Sequence, residues 1–399
     1  MPTSSLKLTG IFRRVGARTF LSAATPARSP ARKFRAATFA AQPAADKNVD
    51  KNVRAPLRQK LDLLSRRHFL AKAAAAGMGF ASAATQPFPV PAAEDSSPKN
   101  QAQIAITFDL EMARNFPTWG QTHWDYEKGN LTEAVKRYAV EAARRVKARG
   151  GRIHFFVVGR VFEQENLDWL KEIVREGHPV GNHTYDHVYV LATKPSEIQY
   201  RFTRAPWLIQ GKKPAEIIEE NIRLTTLALK ERIGIAPAGF RTPGGFAEGL
   251  SGRLDVQQML LDLGFKWVSG KYPAHPVGPL EQEPTAEILD AIVQAQAAAQ
   301  PFVYPSGLIE VPMSPISDIG AFRNGRWQLD WFLKATRLAV ESVIEQGKVF
   351  DFLAHPSCLG VVDPEFRAIE MICDLVQKAG NGAALVDLET IARRVKHPG

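Results

Sequence analysis

Beyond residue 101 the chain alternates between two hydrophobic rhythms. Short apolar runs at 104–108, 153–158, 180–182, 265–268, 308–311, 349–354 and 384–386 read as buried strands, with 239–241 as a further strand end. Between them, apolar residues return every three or four positions. In 131–149 these are Val135, Tyr138, Ala142 and Val146, and Gly150-Gly151 stops the helix. Comparable helices are expected at 167–175, 215–232, 254–263, 330–346 and 364–379, with one more at the C-terminus. Such alternation implies parallel strands with helices packed outside, as a closed barrel or a doubly wound sheet. Two longer irregular stretches, about 188–214 and 271–306, are expected to be insertions over the active face.

Composition changes this picture at one end only. The 399 residues carry a formal charge of +10, which by itself invites nucleic-acid binding. Residues 1–72, however, hold 16 Lys/Arg and 3 Asp/Glu, net +13, while the remainder holds 35 and 38, net −3. No basic footprint for phosphate is left in the body of the protein, so no nucleic-acid partner is expected. Residues 1–64 read as a disordered basic leader or as a start chosen upstream of the true one; a mitochondrial-type presequence has the same composition. Within 65–84, Ser65-Arg66-Arg67-His68-Phe69-Leu70 precedes a mildly apolar Ala/Gly-rich run and the small-residue pattern Ala81-Ser82-Ala83. This resembles a twin-arginine export signal, which implies the twin-arginine machinery as a partner and a periplasmic or extracellular destination. The alternative is an ordinary amphipathic helix. The run is too short, and interrupted by Lys72, to form a stable membrane span. A Pro-rich spacer, 85–101, leads to the folded domain, 102–399.

In folds of this kind reactive groups sit just beyond the C-terminal ends of the strands. The first strand ends in Thr107-Phe108-Asp109-Leu110-Glu111, and the third in Asn182-His183-Thr184-Tyr185-Asp186-His187. A later one ends in Gly239-Phe240-Arg241-Thr242-Pro243-Gly244-Gly245, and another in Phe352-Leu353-Ala354-His355-Pro356. Carboxylates, a histidine pair four residues apart, an arginine in a Pro/Gly turn and a third histidine would share one rim. Imidazoles at that spacing suit a divalent metal and need a third ligand from elsewhere.

With these motifs in this order, the chain resembles the polysaccharide deacetylases of the NodB-homology group, carbohydrate esterase family 4, over roughly residues 102–390. The resemblance implies a distorted, partly open (β/α) barrel of about seven parallel strands. It implies a metal-dependent hydrolase that removes acetyl groups from an N-acetylated or O-acetylated glycan. One divalent ion is expected, zinc first, with cobalt, nickel or manganese as alternatives. By position, Asp109 corresponds to the general base, and His183 and His187 to two metal ligands. Arg241 corresponds to the residue that orients the base, and His355 to the general acid. An amide is a poor electrophile whose amine leaves as an anion unless protonated, which is why such chemistry needs a polarising metal, a base and an acid together.

The first motif departs from the family. Where a second aspartate usually follows the base stands Leu110, and Glu111 comes one position later. On an extended strand end Glu111 shares the side of Asp109, so it is the expected third ligand. Asp109 itself, or His123 or Asp125 in the next loop, are the alternatives, and Glu111 as a solvated loop carboxylate is another. The backbone N–H of Gly244 is a candidate oxyanion donor. The segment 265–269 is the expected counterpart of the family's Asp/Trp motif, with Trp267 or Ser269 near the site, or Trp267 as plain core. Tyr185 and Trp207 are candidate sugar-stacking surfaces. His154 is expected to be a satisfied core residue and His178 structural. Glu310 faces either the substrate groove or a rim salt bridge, and Cys358 and Cys373 are either paired or buried and free. Two other functions fit the same residues: hydrolysis of a small non-sugar C–N bond, and a catalytically silent glycan-binding domain.

Overall fold

The apolar runs pair into one sheet. In the computed structural model, residues 101–112, 128–276 and 278–395 are described. The leader, the signal segment, the spacer up to residue 100, and His123 and Asp125 lie outside them. The strands are β1 (Ala102–Leu110), β2 (Ile153–Val157), β3 (Val180–Asn182), β4 (Phe240–Phe246), β5 (Trp267–Lys271), β6 (Phe302–Val303), β7 (Ile309–Glu310), β8 (Val349–Ala354) and β9 (Ala383–Leu385). Their spatial order is β6-β7-β5-β4-β3-β2-β1-β8, with β9 beside the start of β1. The strands β1–β5, β7 and β8 run parallel, and only β6 is antiparallel to its neighbour. Between β7 and β8 no strand ladder forms among the described residues. Ser314 N–H, in the segment after β7, donates to Asp351 O on β8 (3.0 Å). The result is a curled, partly open barrel, as the resemblance implied, and not a doubly wound sheet.

Burial on both faces explains why β1, β2 and β8 are nearly continuous apolar runs. Every residue of β2 and β8 is buried, and in β1 all but Gln103. Each fully buried Phe, Ile or Leu contributes roughly 1.5–3 kcal/mol relative to exposure. The first outer helix, Glu133–Ala148, begins where Thr132 accepts a hydrogen bond from Val135 N–H (3.4 Å), and it buries Val135, Tyr138, Ala142 and Val146. Helices Pro214–Ile233 and Leu329–Gln346 each end on a left-handed glycine, Gly234 and Gly347.

Three expectations are corrected. The 239–245 segment is not a strand end followed by a turn: β4 runs on to Phe246, and its register against β5 shifts between Arg241 and Phe246. The irregularity lets a Pro/Gly sequence stay extended without a full ladder. The 271–306 stretch is not wholly an irregular insertion, because it contains the helix Ala286–Ala298 and β6. That helix escapes a periodicity reading because its buried face is narrow, just Leu289, Ile292 and Gln296. The other stretch holds short helical turns at Pro195–Ile198, Tyr200–Arg204 and Pro206–Leu208, and the last leaves Trp207 69% exposed. Among the described residues no helix is long and apolar enough to cross a membrane.

Candidate active site

Strand periodicity builds the site in layers. Thr107 and Asp109 lie two apart on β1, with Glu111 just beyond its end. Asp351 on β8 and His355 beyond its end are related in the same way. The deepest layer is a buried charge network. Arg241, fully buried, donates from Nη2 to Asp351 Oδ2 (2.8 Å) and to Thr107 Oγ1 (3.0 Å), and Thr107 Oγ1–H donates to Asp351 Oδ1 (2.8 Å). The guanidinium carbon lies 4.6 Å from the centre of the Phe156 ring. Burial pushes the Asp351 carboxyl up, to about 6, against the opposing pull of Arg241 and Thr107.

Above this floor sits Asp109. Its Oδ1 is 3.9 Å from Arg241 Nη1, and neither atom has a hydrogen-bond partner. The arginine therefore bonds to Asp351 and approaches Asp109 only at longer range, rather than pairing mainly with the expected base. Asp109 Oδ2 lies 3.7 Å from His183 Nε2 and 4.0 Å from His355 Nε2. One buried carboxylate thus faces an arginine and two imidazoles, with its own oxygen left unsatisfied.

Glu111 is buried at the centre of the next layer. Its Oε2 is 3.1 Å from His183 Nε2 and 2.5 Å from His187 Nε2, and its Oε1 is 2.6 Å from Lys128 Nζ and 3.4 Å from His355 Nε2. Burial disfavours its ionised form. The charges of His187 and Lys128 and bonds from His183 and His187 outweigh that and hold it well below the usual carboxylate range. His187 is pushed the other way, down to about 4, chiefly by burial.

The loop bearing the two histidines is pinned from several sides. Asn182 Oδ1 accepts from Thr184 N–H (2.9 Å), and Thr184 Oγ1 accepts from Val188 N–H (3.0 Å). Asn182 Nδ2–H donates to Ile222 O (2.9 Å), and Asp186 N–H to Asn221 Oδ1 (2.8 Å). Thr184 and His187 both adopt φ of 58°, a left-handed conformation that side-chain-bearing residues rarely take without surrounding constraint.

The donor set fits a divalent metal. His183 Nδ1 lies 2.9 Å from Arg241 O, and a carbonyl only accepts, so Nδ1 carries the proton. Nε2 is then the ring atom that faces Glu111 Oε2 (3.1 Å), the placement a metal-ligating imidazole takes. Among the described residues, Glu111, His183 and His187 form the one group of such side chains whose ligand atoms converge, all within 4.8 Å.

His355 is held on its other side by Asp318. Its backbone N–H donates to Asp318 Oδ2 (2.7 Å), and its Nδ1 lies 3.0 Å from Asp318 Oδ1. Burial alone would deprotonate His355, but Asp318 and Glu111 outweigh it and push its pKa up to about 10.

The remaining candidates separate. Gly244, φ 81°, is exposed at the rim, and its carbonyl accepts from Thr242 Oγ1 (2.7 Å). Tyr185 is half-buried and donates to Glu163 (3.1 Å). Trp267 is no substrate surface: it opens β5 at the opposite end of the strand from the rim, is 2% exposed, and donates to Glu389 (2.6 Å). The aspartate beside His355 is Asp318, so 265–269 does not supply it. His154 is core but unsatisfied, both ring nitrogens lacking hydrogen-bond partners while the ring stacks on Phe156. His178 is structural, accepting from Ile153 N–H (2.9 Å). Glu310 accepts from Gly270 and Lys271 N–H (2.8 Å each) and from Tyr304 (2.7 Å), so it clamps backbone and faces no groove. Cys358 and Cys373 are free and buried. Sequence reasoning missed Lys128, Asp318 and Asp351. Only Asp318 left a local trace, as the cap accepting from Ile319 N–H (2.9 Å).

A parallel barrel whose strand ends gather carboxylates, histidines and a buried arginine defines a hydrolase-type barrel. Residues 96–266 match the family model for Polysaccharide deacetylase. The match supports a deacetylase or carbohydrate esterase. Among solved structures, the chain is similar to a Mycobacterium smegmatis protein described as a polysaccharide deacetylase: 16% identity, 77% of this chain and 99% of that one covered, TM-score 0.50. A Pseudomonas aeruginosa PAO1 protein described in the same terms gives 15% identity, 73% and 90% coverage, and TM-score 0.49. A structure of Puue allantoinase gives 15%, 74% and 91%, and 0.49. No curated protein matches in sequence.

Proposed function

We propose that the chain is a metal-dependent hydrolase that removes acetyl groups from an N-acetylated glycan, with O-acetyl esters as the related substrate. The observation that carries this reading is the convergence of Glu111, His183 and His187 beside Asp109 and His355. A divalent ion held by those three residues, zinc first, supplies Lewis acidity toward the acetyl carbonyl and lowers the pKa of water. Asp109 takes the proton of the attacking water. Arg241, anchored on Asp351 and Thr107, keeps positive charge 3.9 Å from Asp109. His355, kept protonated by Asp318, hands its proton to the departing sugar amine. Gly244 N–H at the rim is the candidate second stabiliser of the oxyanion.

The test is acetate release from chitooligosaccharides, peptidoglycan fragments and acetylated xylan. Zinc-loaded protein is expected to release acetate from at least one; release from none would refute the reading. Attack on a small amide with no acetate from any glycan would favour the alternative hydrolase, and metal-free glycan binding would favour the silent domain. We further propose export through the twin-arginine pathway. Replacing Arg66 and Arg67 together by Lys is expected to leave the protein in the cytoplasm, and unchanged export would exclude that route.

A further inference from the structure

Lys128 places a buried charge against the candidate metal centre. Its Nζ is fully buried and 2.6 Å from Glu111 Oε1, while Glu111 Oε2 faces the two imidazoles. Glu111 thus divides its oxygens, one toward the histidine pair and one toward an ammonium. Burying an ammonium is strongly unfavourable unless it is paired, so this placement has to be built. The backbone builds it. Gly129 N–H donates to Glu111 O (2.8 Å), and Gln164 Nε2–H donates to Gly129 O (3.2 Å). Gly129 has φ 84°, and a Cβ there would lie 2.4 Å from Arg160 Cβ, so only glycine allows the approach.

We propose that Lys128 sets how tightly the site holds a divalent cation, by offsetting the charge of the one carboxylate in the Glu111/His183/His187 set. The inference rests on reading those three residues as metal ligands. Two effects oppose each other. An ammonium this close repels a dication, and a buried setting screens that repulsion poorly. Against it, removing the outer partner of a ligating group typically costs about 10–100-fold in affinity through lost orientation. Orientation of Glu111 does not depend on Lys128 alone. Its carbonyl stays bonded to Gly129 N–H, and Oε1 still faces His355 Nε2 at 3.4 Å. Repulsion therefore dominates, and the lysine weakens retention. A cation whose carboxylate ligand is partly neutralised keeps more of its own charge for polarising a substrate carbonyl. Lys128 is in this sense a charge-setting residue.

The test is a cobalt titration of chelator-stripped, full-length protein, read by calorimetry and by the visible absorption of bound cobalt. Lys128→Gln, which keeps a donor to Glu111 but no charge, and Lys128→Met are each expected to bind cobalt at least about tenfold tighter than the parent. Lys128→Arg, which keeps the charge, is expected to stay near the parent value. If Lys128→Gln binds no tighter while binding still requires His183, the inference is overturned and the metal reading stands. If neither parent nor variant binds cobalt, or binding survives His183→Ala unchanged, the metal reading falls and the inference falls with it. Thermal unfolding of the stripped variants identifies any that fail to fold, and either neutral variant suffices.

Discussion

Asp109, His183, His187, Arg241 and His355 were legible because each lies on a strand or just after one, where a two-residue period and the barrel rule say which end carries chemistry. The residues that hold them were not. Asp318 lies 37 positions before His355, and only the folded chain brings its carboxylate to Nδ1. Asp351 sits within an apolar strand and has meaning only once Arg241 is seen against it (2.8 Å). On the proposed mechanism Asp318 positions His355 and acts through it. Asp318→Asn is expected to lower kcat by up to the roughly 10²–10⁴-fold that a general acid contributes, with KM nearly unchanged. A merely structural role would instead lower thermal stability and leave kcat per folded molecule intact.

The elements were legible in kind and less so in extent. Strong periodicity marked the helices at 133–148 and 329–346. Helix Ala286–Ala298 and the continuation of β4 through Thr-Pro-Gly-Gly depend on tertiary packing that no local pattern reports. The turn after β2 illustrates how an element places a site loop. Gly159 N–H donates to Thr184 O (2.9 Å) and Arg160 N–H to Tyr185 O (3.1 Å), which tie the histidine loop down. A Cβ at Gly159 would lie 2.3 Å from Tyr185 Cδ2 and 2.9 Å from Tyr185 Cα, so the loop can sit there only above a glycine. Gly159→Ala is expected to cost about 1–3 kcal/mol of stability, measured by denaturant unfolding, and to weaken metal binding by displacing His183 and His187. An alanine variant with parental stability and metal affinity would show that the loop is not held this way.

For the molecule as a whole, the basic excess belongs to residues 1–72, and the barrel is close to neutral. Its stability is nevertheless expected to fall in acid. Burial pushes both His154 and His178 down to about 4. The folded state therefore favours their neutral forms, while the unfolded chain takes up protons near the ordinary value of about 6.5. The stability they contribute is fully present above pH 6.5 and is lost as pH falls toward 4. His154→Phe removes one titrating ring without breaking a hydrogen bond. It is expected to flatten the fall in melting temperature between those pH values, whereas an unchanged slope would assign the acid sensitivity to other groups. On the proposed reading, a single metal held by Glu111, His183 and His187 drives deacetylation. Its most direct test is acetate release from the preferred glycan as zinc is titrated into chelator-stripped protein. No release is expected without zinc, with a plateau at one equivalent. Full release from stripped protein, or none at any zinc level, would contradict it.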